Sequence, residues 1–265
     1  MSRDILRKAV SALVPQAGKN AIDGARARRL VQQIFPLNER YIELHGLDVR
    51  RGPFAGMHYT RIEDPAPGNL VAKLVGTYEQ QVYPWLTDRW IGGDFDVVLD
   101  VGCAEGFYAV GLARAMPRAT VHAFDTYEPA RRECARLAAH NGVGERVIVR
   151  EFCTPETLAE FANAKVALLS DCEGYEKVLL DPAISPSLSR WSLIVEQHDN
   201  EDPTISATLQ ERFGGTHEIE TIDFVSAEKA ASLPELSWMT KRELRLVLDE
   251  RPAGISWALF SPLSS

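Results

Sequence analysis

The stretch Phe95 to Asp125, FDVVLDVGCAEGFYAVGLARAMPRATVHAFD, admits few folds. Asp96 to Val101 is an apolar run with an acid, Asp100, at its end, the form of a strand covered on both faces of a parallel sheet. Gly102-Cys103-Ala104-Glu105-Gly106 breaks that run, and Phe107 to Met116 is dense in Ala, Val and Leu until Pro117 stops it. Thr120 to Phe124 reads as a second strand ending in Asp125. The spacing predicts a βαβ unit with a glycine-lined crevice at its strand tips, where open α/β sheets bind ligands.

The glycine spacing limits that ligand. A dinucleotide cradle needs G-x-G-x-x-G, so that backbone amides close on a pyrophosphate at a helix N-terminus. Here Ala104 stands where the middle glycine belongs, and Glu105 brings a negative charge towards the phosphate position. The turn suits a nucleoside without phosphates, whose cationic amino-acid end lies against an acidic loop while Asp125 accepts from both ribose hydroxyls. S-adenosylmethionine meets that description.

On these residues the chain resembles the class I S-adenosylmethionine-dependent methyltransferases. Asp100 to Gly106 looks like their first motif, and Val121 to Asp125 like their second strand with its ribose-binding acid. The resemblance implies a Rossmann-like α/β sheet in the order 3-2-1-4-5-7-6, parallel except for an antiparallel last strand. The cofactor-binding candidates are Glu79, Asp100, Gly102, Cys103, Ala104, Glu105, Gly106, Asp125, Cys153 and Asp171.

Two units are expected: an N-terminal appendage, 1–68, and a cofactor-binding domain, 69–265, with an insert at about 223–255. In the appendage Asp4 to Val14 and Ile22 to Phe35 are helical patterns separated by Pro15 and Gly18. Tyr41 to Thr60, broken at Gly46, Gly52 and Gly56, reads as a β-hairpin or meander. Asp64 to Gly68 is a turn-rich linker, and Asn69 to Trp90 a helical segment laid over the crevice with Tyr78 and Glu79 in contact range. Met1 to Phe35 is basic (Arg3, Arg7, Lys8, Lys19, Arg26, Arg28 and Arg29 against Asp4 and Asp23), whereas the chain has a net charge of −8. Such a segment either touches an acidic partner or a membrane surface or, as expected here, packs on its own acidic domain or on an identical subunit as a homodimer.

Beyond Asp125 the alternation continues. Helices are expected at Pro129 to His140, from an N-cap at Thr154 to about Ala162, at Tyr175 to Leu180, and from Asp202-Pro203 with Ile205, Leu209 and Phe213 on one face. Strands are expected at Arg146 to Phe152, Val166 to Ser170, Leu193 to Glu196, His217 to Ile222 and Trp257 to Phe260. The insert holds a helical pattern near Lys241 to Asp249. Its Trp238, Met239, Arg242 and Arg245 are either a substrate-pocket wall or ordinary packing.

Asp171-Cys172-Glu173-Gly174-Tyr175-Glu176, after the fourth strand, resembles the Asp-Val-Glu-Gly-Ala-Glu segment of FkbM-type methyltransferases, many of which act on hydroxyls of sugars and natural products. The resemblance implies O-methylation of a small-molecule acceptor; Cys172, Tyr175 and the Glu196-Gln197-His198-Asp199 run depart from it. Neighbouring fourth and fifth strands would bring Asp171, Glu196 and His198 together as catalytic candidates, with Glu173 in support. An alcohol must lose its proton as the methyl arrives, and a carboxylate, a histidine titrating near its ordinary pKa of about 6.5, or a metal-bound water meets that need. Oxygen ligands with one imidazole favour Mg or Mn over zinc. The alternative is that Asp171 and Glu173 merely cap the helix near Tyr175.

The four cysteines, Cys103, Cys134, Cys153 and Cys172, have neither C-x-x-C spacing nor clustered histidines, so they read as small buried thiols, three of them at strand tips. No apolar run approaches the roughly 20 residues of a membrane span and no signal peptide is visible, which predicts a cytoplasmic protein. Net acidity without a basic, aromatic-lined groove runs against nucleic acid as a partner. A nucleotide (NAD)-dependent oxidoreductase and a noncatalytic S-adenosylmethionine-binding protein remain as competing classes.

Overall fold

A computed structural model describes residues 20–61, 69–223, 232–248 and 255–263, with side chains from residue 32 onward. The helix expected at Asp4 to Val14, the linker Asp64 to Gly68 and parts of the insert lie outside the described residues.

Seven strands form one sheet in the order β3-β2-β1-β4-β5-β7-β6. They are β1 (Val97–Val101), β2 (Thr120–Phe124), β3 (Val147–Arg150), β4 (Val166–Ser170), β5 (Ser192–His198), β6 (His217–Asp223) and β7 (Ile255–Pro262). The strands β1 to β5 pair in parallel. β7 runs antiparallel to both of its neighbours, β5 and β6. The sheet is the expected Rossmann-like one, because its central strands carry the residues that two covered faces demand. All of β4 and β5 is buried, including Glu196, Gln197 and His198 at the β5 tip. In β1 and β4 alternate residues enter two separate hydrophobic clusters, Val98, Ala167 and Leu169 on one face, Leu99, Val166 and Leu168 on the other.

The appendage differs from expectation in two places. Helix α1 (Asn20–His45) runs straight through Pro36 and takes in Tyr41, which had been assigned to a hairpin. An interior proline costs a helix about 3 kcal/mol, but Ile34, Leu37 and Tyr41 on either side of it are buried in the larger hydrophobic cluster, so packing outweighs the local cost. The hairpin is reduced to a loop with one bridge, Asp48 to His58, closed by Val49 N–H donating to Met57 C=O at 2.8 Å. Phe54 from this loop lies over Gly111.

Helix α2 (Leu70–Val75) ends at Gly76, and the segment continues as three short helical pieces to Trp90. Helix α3 (Phe107–Ala115) follows the glycine turn, and a Cβ on its Gly111 would lie 2.4 Å from the Phe54 ring, so glycine here permits the loop to seat. Helices α4 (Glu128–His140), α5 (Pro155–Leu158), α6 (Glu176–Leu179) and α7 (Ile205–Phe213) complete the alternation, with Thr154 capping α5 as expected. Helix α8 (Lys241–Leu248) in the insert packs on α1 and α2. No helix among the described residues is long and apolar enough to cross a membrane.

Candidate functional site

A cavity of about 410 Å³ opens at the tips of β1, β2, β3 and β4. Gly102 makes the turn at its floor with φ +91°, where a Cβ would lie 1.6 Å from the Asp171 carbonyl oxygen. The Gly102 and Cys103 amides donate to Phe124 C=O at 2.9 and 3.0 Å, pinning the turn to the tip of β2. Asp125 then reaches back: its Oδ2 accepts from Ala104 N–H at 2.9 Å and its Oδ1 from Tyr127 N–H at 2.7 Å. Each oxygen keeps a further lone pair, so the carboxylate is fixed in place yet still able to accept.

Of the cofactor-binding candidates, Gly102, Ala104, Glu105, Asp125, Cys153 and Asp171 line the cavity. The other four do not. Gly106 starts α3 against Cys134, Cys103 is buried, and Asp100 is buried beneath the turn. Glu79 is buried too and accepts from the Tyr108 hydroxyl at 2.5 Å, while its neighbour Tyr78 lines the cavity. Trp238 donates to Glu235 C=O and lies under Arg40, and Met239 is buried, so neither forms a wall of this cavity; Arg242 and Arg245 are likewise outside its lining.

The lining is acidic. Glu105, Asp125, Glu133, Glu151, Asp171 and Glu173 face one cation, Lys73, among the described lining residues. Lys73 is committed to Glu105 at 2.5 Å and sits 4.6 Å from the Tyr78 ring centroid; Tyr59 also donates to Glu105 at 3.1 Å. Burial pushes Glu105 up, but Lys73 outweighs it and holds the carboxyl below its usual range. Sequence reasoning missed Lys73 and Tyr59. The available signal was a lone lysine inside the apolar run Leu70–Val75, which the structure buries.

Asp100 is pushed up to about 8, first by burial and then by the charges of Asp171 and Asp125. The Ala109 backbone offers its carboxylate one hydrogen bond, which is too little to offset burial. A carboxyl whose folded pKa exceeds its unfolded one stabilises the fold below the unfolded value, and that contribution is lost as pH rises through the folded value. Stability should therefore decline between about pH 4 and pH 8, and Asp100→Asn should flatten the decline and melt higher than wild type at pH 8. Thermal melts of both proteins across that range test this; a lower Tm for the variant at pH 8 would show Asp100 to be ionised and satisfied.

Two thiols near the crevice are held in the protonated form. Burial raises Cys153 to about 12, and desolvation followed by the Glu176 charge raises Cys172 well above its ordinary value.

A second cluster adjoins the cavity. His198, at the tip of β5 and fully buried, places Nδ1 2.7 Å from Glu176 Oε1. Its Nε2 lies 3.5 Å from Asp171 Oδ1, 3.3 Å from Glu173 Oε2 and 3.4 Å from Glu196 Oε2. The structure thus brings Asp171, Glu196 and His198 together, with one ligand-type atom from each within 4.8 Å of the others. Helix capping does not account for the acids, since Tyr175 occupies the N-cap of α6 and no side chain caps it. Burial alone would lower the His198 pKa, but the hydrogen bond to Glu176 and the charges of Glu176, Asp171 and Glu173 hold it above its ordinary value. A histidine base titrating near 6.5 is accordingly replaced by an imidazole that stays protonated to higher pH. Glu176, buried and bonded to His198, was legible in the sequence only as part of a resembling segment.

No protein-family model and no curated protein matches this chain. Solved structures resemble it in part. An rRNA methylase from Streptococcus thermophilus is 15% identical, with 70% of this chain and 96% of that one covered at a TM-score of 0.49. A precorrin-6y C5,15-methyltransferase from Geobacter metallireducens is 14% identical, covering 71% and 90% at 0.47. The O-methyltransferase TomG from Streptomyces achromogenes, involved in tomaymycin synthesis and solved in complex with SAM, is 14% identical, covering 64% and 74% at 0.45. These likenesses concern the path of the chain and carry no information about substrate.

Proposed function

We propose that this protein transfers a methyl group from S-adenosylmethionine to a hydroxyl of a small-molecule acceptor, in the manner of FkbM-type methyltransferases. The observation that carries the reading is the charge of the crevice: acids around a glycine turn, with one cation already paired. Such a lining repels the pyrophosphate of NAD and attracts a cationic nucleoside. The residues fit the cofactor. Asp125 has lone pairs for the ribose hydroxyls, and the Lys73–Glu105 pair offers one charge of each sign to a zwitterionic amino-acid end.

When bound, the cofactor supplies a methyl on a sulfonium, whose carbon–sulfur bond breaks with its electrons retained by sulfur as the carbon–oxygen bond forms. The protein's part is to orient the acceptor and remove its proton. Asp171 lines the crevice and also lies 3.5 Å from His198 Nε2, so its carboxylate is the link between the cofactor site and the buried cluster. It accepts the hydroxyl proton, and Glu196 and His198 beside it hold the carboxyl in place. Glu176, through Nδ1, fixes the orientation of the imidazole ring.

Calorimetry tests the cofactor assignment: S-adenosylmethionine should bind and NAD should not. Asp125→Ala removes a charged acceptor, worth about 1.5 to 3 kcal/mol, so affinity should fall roughly ten- to a hundredfold. Unchanged affinity in a folded Asp125→Ala protein, or preferential binding of NAD, overturns the reading.

A further inference from the structure

The buried end of β5 presents an arrangement that proton transfer does not require. His198 is fully buried, its Nδ1 engaged by Glu176, and its Nε2 has no hydrogen-bond partner although three carboxylates stand 3.3 to 3.5 Å away. Four carboxylates, those of Asp171, Glu173, Glu176 and Glu196, thus surround one imidazole, which can offset at most one of their negative charges. A cation among them offsets more. A carboxylate that orients a histidine through one nitrogen, leaving the other to coordinate, is a recurring second shell of metal sites.

We propose that Asp171, Glu196 and His198 bind one divalent cation, each through a single ligand atom, with Glu173 at the solvent side of the site. Two carboxylates and one imidazole form a mixed oxygen and nitrogen set that suits Mn better than the softer ions preferred by thiolates, and Mg by its oxygens. The ligand atoms already lie within 4.8 Å of one another, a span an ion about 2.1 Å from each could bridge with small side-chain adjustments. Three protein ligands leave positions open on a six-coordinate ion. Asp171 also lines the cofactor crevice, so those positions adjoin it. The catalytic use of the ion rests on the methyltransfer reading: a bound ion would hold the acceptor oxygen and lower its pKa, and Asp171, then a ligand, would cede the proton to Glu173, which is 68% exposed and can pass it to water. The site itself does not depend on that reading.

The test uses the full chain, freed of metal by chelation and titrated with Mn without cofactor or acceptor. Electron paramagnetic resonance should show one Mn bound per chain, and its spin-echo modulation should report a directly coordinated imidazole nitrogen. His198→Gln should abolish the nitrogen signal, and Glu196→Gln should weaken Mn binding at least tenfold while α/β circular dichroism is retained. Mn that does not bind, or that binds without nitrogen coordination in the wild type, overturns the proposal even if a variant fails to fold. Since the readout involves no methyl transfer, failure of S-adenosylmethionine binding in calorimetry would leave this result standing, and the converse holds.

Discussion

Gly102→Ala should yield no stably folded protein. The Cβ that this substitution adds would stand 1.6 Å from the Asp171 carbonyl oxygen and 2.6 Å from its carbon, a main-chain obstacle that no rotamer change relieves. The backbone φ of +91° is strained for any residue with a side chain. Relief would require the β1 and β4 tips to part, breaking the Asp171 N–H to Val101 C=O bond at 2.9 Å and those of Gly102 and Cys103 to Phe124. A cost above about 4 kcal/mol is expected, a large share of the stability of an ordinary domain. Soluble expression and thermal melts check this, and a variant melting within a few degrees of wild type would refute the close approach. The glycine therefore admits the Asp171 carbonyl, just past the tip of β4, over its Cα.

The second large effect is expected on turnover. His198→Gln should slow methyl transfer by about 10² to 10⁴, roughly 3 to 5 kcal/mol of transition-state stabilisation, with cofactor affinity changed less than threefold. Glutamine is chosen because its amide can still donate to Glu176, which is fully buried and would otherwise be left as an unpaired charge. The expected split between turnover and affinity follows from the geometry: His198 does not line the cavity, but touches Asp171, which does. Transfer of labelled methyl into a small-molecule extract of the source cells measures the first quantity, and calorimetry the second. Turnover within a few fold of wild type would remove His198 from the reaction. Glu176→Gln, which positions His198, should give a smaller loss, with the imidazole titrating lower by NMR.

The contrast between what the sequence disclosed and what it hid has a physical basis. Strands β2 and β4 are read to the residue because an apolar run bounded by turn residues has one way to lie in a covered sheet. The acid at the β2 tip and the convergence of Asp171, Glu196 and His198 follow from strand adjacency, which the order of a right-handed βαβ sheet determines. Helix α1 was cut short because Pro36 is a local stop signal, whereas the burial of Ile34, Leu37 and Tyr41 that overrides it is a tertiary fact. The hydrogen bond from Tyr108 to Glu79 could not be read from the sequence, since its two residues lie 29 apart and on different elements. Lys73 and Glu176 escaped for the same reason, each defined by one long-range contact, to Glu105 and to His198.

Asp171 divides its duties between main chain and side chain. Its peptide seals the Gly102 turn through a carbonyl over the Cα and an amide bonded to Val101, contacts that any residue with ordinary geometry there can supply. Its carboxylate faces His198, and the residue lines the crevice. The identity of the residue is thus uncoupled from the architecture that holds the glycine turn. Replacing the side chain at position 171 removes the proposed proton acceptor without rebuilding the cradle, so Asp171→Asn separates the chemistry of the carboxylate from the folding of the crevice.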